Sequence, residues 1–256
     1  MAKLESSDGS LSWDQWEDKL KQIGQSLADQ RKSAEVEAIG SAVLMRDGMH
    51  GRTSLDLGVW MPNSKIDDLQ AFRDAVESSG LALDSRGEFD ESSAYVQLVK
   101  ELDTMPDHQP EHSEKFGSLE VTYPSNEVIA ASKLAAGRDK DIADLTYLAS
   151  TGKLDEEKLD EMISKIPHEL EREAAAENKI FVDPQIAGLQ ISQKEKVSQA
   201  EKFVRELDGL KKGQHGDISS DAVALNTKLN IALKNTVHTE SKLSATQALA
   251  IKNGVF

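Results

Sequence analysis

The sequence predicts an α+β fold, with a small mixed sheet flanked by helices and a helical C-terminal region behind it. Three observations carry that expectation. Short strand-like runs occur at 34–39, 55–60, 81–83, 94–99 and 119–123, separated by amphipathic or polar stretches. Aromatic residues are sparse at 5%, while Ala, Lys, Glu and Leu are common, which favours helices over a large sheet. Beyond Pro167 only 180–182 reads as a strand, and apolar residues recur there at helical spacing. The expected division is a loose arm at 1–11, an α+β domain at 12–167 and an α-helical region at 168–256.

Taken in order, Ser12 and Gln15 have capping-box spacing, and Trp13, Trp16, Leu20, Ile23 and Leu27 form one helical stripe behind them. Core packing accounts for that stripe, and a partner surface at Trp13 and Trp16 is the alternative. The strand 34–39 enters a Gly-Ser turn, and 42–47 is a brief helix. In 55–60, Leu55, Leu57 and Val59 face one way while Asp56, Gly58 and Trp60 face the other. Pro62-Asn63-Ser64 reads as a turn and cap before an amphipathic helix over 65–79, and 85–93 reads as a hairpin connection. The proline- and acid-rich stretch 101–116 reads as a loop holding solvated His108 and His112. Helices are expected on both sides of Gly137 and after Asp155, then at 190–212, 219–237 and 240–253. The stripe Val197, Val204, Leu207 and Leu210 is a candidate partner surface.

Composition sets further bounds. A net charge of −15 argues against general binding to duplex DNA or to an anionic membrane surface. With no cysteine, thiol nucleophiles, disulfides and Cys-based zinc sites are excluded. No apolar run reaches the ~20 residues of a membrane span, so the expectation is a cytoplasmic protein, bacterial in style.

The rest of the chain is organised around 39–60, IGSAVLMRDGMHGRTSLDLGVW. Small residues at Gly40 and Ser41 let backbone N–H groups approach an anion, and Asp56 comes back towards the same crevice. The order helix, strand, Gly-Ser, short helix, RTSLDLG strand, amphipathic helix and strand, followed by a helix bearing AGRDKDIADL, resembles small bacterial nucleotidyltransferases. The likeness is to the AbiEii-like and minimal groups of toxin–antitoxin and phage-defence operons, and it covers roughly residues 13–165. In that family carboxylates on one strand face hold Mg²⁺ against a nucleoside triphosphate.

Carried over by position, the resemblance gives Gly40, Ser41 and Arg52 to the phosphates and Asp56 to the metal as first acid. The second acid falls on Gly58 and the third on Gln97, with Glu101 or Asp103 able to serve after a register shift. Arg138 and Lys140, on the later helix, are implied phosphate ligands, although Arg138, Asp141 and Asp144 at i,i+3 spacing also read as a solvated ion-pair face. The resulting expectation is a catalytically degenerate subunit that binds another protein, encoded nearby, in a bacterial defence or toxin–antitoxin complex. One alternative is an active transferase using Mg²⁺ and a nucleoside triphosphate to modify protein or RNA. The other is an acidic mimic that occupies a basic nucleic-acid-binding partner.

Overall fold

The computed structural model describes residues 9–49, 51–84 and 93–183, and the helices expected at 190–212, 219–237 and 240–253, with Val197, Val204, Leu207 and Leu210, lie outside them. The architecture is α+β: a six-stranded mixed sheet, in the order β3-β4-β2-β1-β6-β5, flanked by helices. The strands are β1 (Ala34–Ile39), β2 (Asp56–Ile66), β3 (Ala82–Asp84), β4 (Tyr95–Val99), β5 (His112–Phe116) and β6 (Leu119–Tyr123). The helices are α1 (Trp13–Asp29), α2 (Ser41–Arg46), α3 (Leu69–Ser78), α4 (Asn126–Ala136), α5 (Asp139–Ser150), α6 (Glu156–Ser164) and α7 (Glu169–Asn178). Two compact units are distinguished: 1–144 with 153–176, and 145–152 with 177–256. The sheet and the residues of the candidate site belong to the first.

Helix α1 starts as its sequence specifies, with the Gln15 side chain accepting from the Ser12 N–H at 2.9 Å. Its stripe of Trp16, Leu20, Ile23 and Leu27 is buried. Trp16 is fully enclosed, which removes it as a partner surface; Trp13 is half-buried and edge-on to Tyr123 at 6.4 Å. Gly24 is a contact point, since a Cβ there would sit 1.5 Å from the Phe116 carbonyl oxygen. The helix therefore lies directly on the β5–β6 turn, where Ser118 N–H donates to the Gly24 carbonyl at 3.2 Å.

Residues in register share a sheet face. Val36, Ala38, Leu57, Val59, Val96, Leu98 and Val121 form the apolar one, all buried, and α1 and α3 pack on this side of the molecule's core. Each such aliphatic side chain contributes about 1.5–3 kcal/mol on burial. The opposite face carries Glu37, Asp56, Gly58, Trp60, Tyr95, Gln97 and Asp84.

The structure departs from the sequence expectation in five places. β2 does not stop at Trp60. It runs through Pro62 to Ile66, with a register shift opposite Glu35/Glu37 that absorbs the 61–64 segment. Ser64 accordingly serves that bulge, accepting from Glu37 N–H at 2.9 Å and donating to the Trp60 carbonyl at 2.7 Å. The cap of α3 is Asp68, which accepts from Ala71 N–H at 3.0 Å. β3 and β4 are parallel, so no hairpin joins them. His112–Phe116 is an edge strand paired with β6, and Lys179–Val182 is a 3-10 turn instead of a strand.

Candidate functional site

β1 and β2 are antiparallel, with Ile39 opposite Gly58, so the end of β1 and the start of β2 come together. This places the Gly40-Ser41 turn and Asp56 at one end of the sheet. Gly40 has φ +83°, a backbone conformation that L side chains resist, and nothing stands where a Cβ would be. The chain can thus leave the strand and enter α2 in one residue. That helix is only six residues long, so its dipole is a weak attraction for an anion.

Side chains converge on the turn instead. Asp144, on α5, is wholly buried and accepts from Ser41 Oγ at 2.7 Å. Its carboxylate also meets Lys133 Nζ at 2.8 Å and Arg52 Nη2 at 3.0 Å. Lys133, on α4, is itself buried and bridges to Asp141 at 2.8 Å and to Ser41 Oγ at 3.3 Å. Arg138 completes the chain, its Nε donating to Asp141 at 2.6 Å. Burial pushes the Asp141 carboxyl up, but the hydrogen bonds and charges of Arg138 and Lys133 outweigh it and hold the group below its ordinary range.

Local structure explains the convergence. Gly137 ends α4 in the left-handed conformation (φ 58°), its N–H donating to the Lys133 carbonyl at 3.0 Å. The break, neither a kink nor a continuous helix, lets α5 restart at once and brings Asp141 and Asp144 to Lys133. The three cations Lys133, Arg52 and Arg138 face two carboxylates, Asp141 and Asp144, leaving one positive charge over. Arg52 Nε is buried with no hydrogen-bond partner among the described residues.

The acidic side of the site is much poorer. Asp56 accepts from Ser54 Oγ at 3.3 Å. In register with it is Tyr95, and the next rung on that face is Gly58–Gln97–Asp84. A Cβ at Gly58 would lie 3.0 Å from Ile39 Cγ1, so a second acid would crowd an apolar side chain that must shift to admit it. Asp84, buried on the far side of β4, is an acid the sequence reading passed over. Burial, followed by the charges of Asp56 and Asp84, raises the Tyr95 hydroxyl. Among the described residues no three His, Cys, Asp or Glu side chains are grouped to hold a metal ion. The donors present do not fit a carboxylate-held Mg²⁺ site.

Of the other expected site residues, Glu101 and Asp103 are remote from Asp56. β4 runs parallel to β2 from the rung of Asp56 to Val99, roughly 13 Å along the strand, and both acids follow it. Asp103 is exposed and lies 3.3 Å from His168 Nε2. Lys140 is exposed on α5; the lysine of the cluster is Lys133. Asp141 and Asp144 do not form a solvated face, because both are buried. A buried pair was also hidden from the sequence: His108 Nε2 lies 3.0 Å from Glu37 Oε1, and neither side chain is solvent-exposed. Comparison of the chain with family models, with curated proteins and with solved structures finds no match.

Proposed function

We propose that this chain is a non-catalytic binding subunit on a nucleotidyltransferase-like framework, serving a protein complex of the kind encoded in bacterial defence and toxin–antitoxin operons. The observation that carries the reading is Gly58 packed against Ile39. It leaves Asp56 without a same-strand companion, whereas the cationic cluster about Ser41 is complete. Two-metal phosphoryl transfer requires carboxylates that share ions, and Asp56 with a neutral Gln97 on the next rung is too few donors.

A second reading, active nucleotidyl transfer to protein or RNA, draws on the same cluster. The surplus positive charge beside the Gly40-Ser41 turn is what a triphosphate would meet. Incubation with labelled nucleoside triphosphates and Mg²⁺ or Mn²⁺, with protein and RNA acceptors, separates the two. The binding reading expects no label transferred by the wild-type chain. Label that disappears in Asp56→Ala would overturn it in favour of the transferase.

A further inference from the structure

The segment between β4 and β5 has no regular secondary structure, yet it is fastened at several points. Met105, Pro106 and His108 are buried within it. Thr104 Oγ1 lies 3.1 Å from Ser132 Oγ of α4, the residue before Lys133. Asp107 N–H donates to the Lys165 carbonyl at 3.3 Å, and Asn63 Nδ2 to the His108 carbonyl at 3.3 Å. The remaining tie is ionic and reaches the middle of the sheet, where His108 meets Glu37 of β1, three residues before Gly40. The segment is a strap across the polar sheet face, touching α4 one residue before Lys133 and β1 three residues before Gly40.

The hydrogen bonds of His108 determine its protons. Nδ1 lies 2.7 Å from the Pro106 carbonyl, which can only accept, so Nδ1 carries a hydrogen. Nε2 faces Glu37 Oε1, and a hydrogen bond there requires one further proton shared by the pair. With it, the two groups form a neutral, bonded couple. Without it, an imidazole lone pair faces a fully buried carboxylate, with Glu37 Oε2 already lacking a hydrogen-bond partner among the described residues.

We propose that the His108–Glu37 pair is a proton-operated latch, which fastens the 100–111 strap to the sheet while it holds the shared proton and releases it when that proton is lost. The charged and titratable groups facing His108 are Glu37 from β1 and Asp107 from the strap itself, both favouring the proton. Burial pulls the imidazole down, but Glu37 and the Pro106 carbonyl more than compensate, leaving it above its ordinary value. The sign follows. A raised histidine adds stability that is complete below its unfolded-state value and fades as pH rises through the folded-state one. The strap closes in mild acid and loosens in alkali.

The test uses the intact chain from about pH 6 to about pH 9, the ordinary imidazole range and above. His108 ring nitrogens are followed by NMR, and the exchange of strap amides Met105 and Asp107 is corrected for intrinsic pH dependence. The latch expects His108 to titrate above the ordinary imidazole value, and strap protection to fall severalfold over the same interval while α1 protection holds. Glu37→Gln, which keeps shape but gives up the charge, is expected to flatten that pH response. Strap protection that stays constant while His108 titrates, or His108 titrating at or below the ordinary imidazole value, would overturn the proposal. Both wild-type readouts stand if Glu37→Gln does not fold.

Discussion

Replacing Lys133 by Met removes one charge at nearly constant length, and the structure fixes what remains. Asp141 keeps Arg138 alone, and Asp144 keeps Ser41 and Arg52, while both carboxylates stay buried. Withdrawing one partner from a buried ion pair costs about 3–5 kcal/mol, and here each carboxylate is left with a single cation. The whole of that range applies to a lysine that serves two carboxylates at 2.8 Å each. With a urea slope of about 2 kcal/mol/M, the unfolding midpoint drops by roughly 1.5–2.5 M. The control is Lys140→Met on exposed α5 surface, expected within about 0.5 kcal/mol of wild type. Adding Asp144→Asn to Lys133→Met should cost less than the sum of the singles, since the two share one interaction. A Lys133→Met loss below about 1 kcal/mol, or equal to that of Lys140→Met, would refute the view of this cluster as a buried, mutually dependent network.

Two further outcomes follow from named contacts. Gly58→Ala should lower stability by about 1–3 kcal/mol through overpacking against Ile39 Cγ1, and its cost should be smaller in an Ile39→Ala background, where that atom is gone, measured by thermal unfolding. Because Asp141 is depressed in the folded state, its contribution is present above the unfolded carboxylate value and lost as pH falls through the folded one. Stability should therefore decline in acid below about pH 4, and Asp141→Asn should flatten that limb of the pH–stability curve.

The legible parts of the sequence were those where local signals agree with tertiary packing. α1 announced itself through Ser12, Gln15 and the stripe from Trp16 to Leu27, and the core strands through their alternation. His112–Phe116 was hidden because HSEKF has little strand propensity; only pairing with β6 makes it a strand, and its charges protect an open edge. Pro62 looked like a terminator, but a bulge accommodates it within β2. Lys133 was missed because a lysine near a helix C-terminus is usually a solvated dipole partner. Its signal was a lone charge inside VIAASKLAA, a run buried on all sides. The His108–Glu37 pair left no sequence trace, since 71 positions separate its members and neither sits in a motif.

The break at Gly137 also divides the site by folding order. Lys133 and Arg138 reach Asp141 across 8 and 3 positions, a closure that costs a short chain little entropy. Ser41 and Arg52 reach Asp144 across 103 and 92 positions, and can do so only once β1 and β2 are paired. The cluster is thus assembled from a local half and a late half. Substitutions at Arg138 should act on the folding rate if the α4–α5 corner belongs to the nucleus, and those at Arg52 mainly on unfolding. In a refolding chain the acid–base corner can close before the turn it holds is in place.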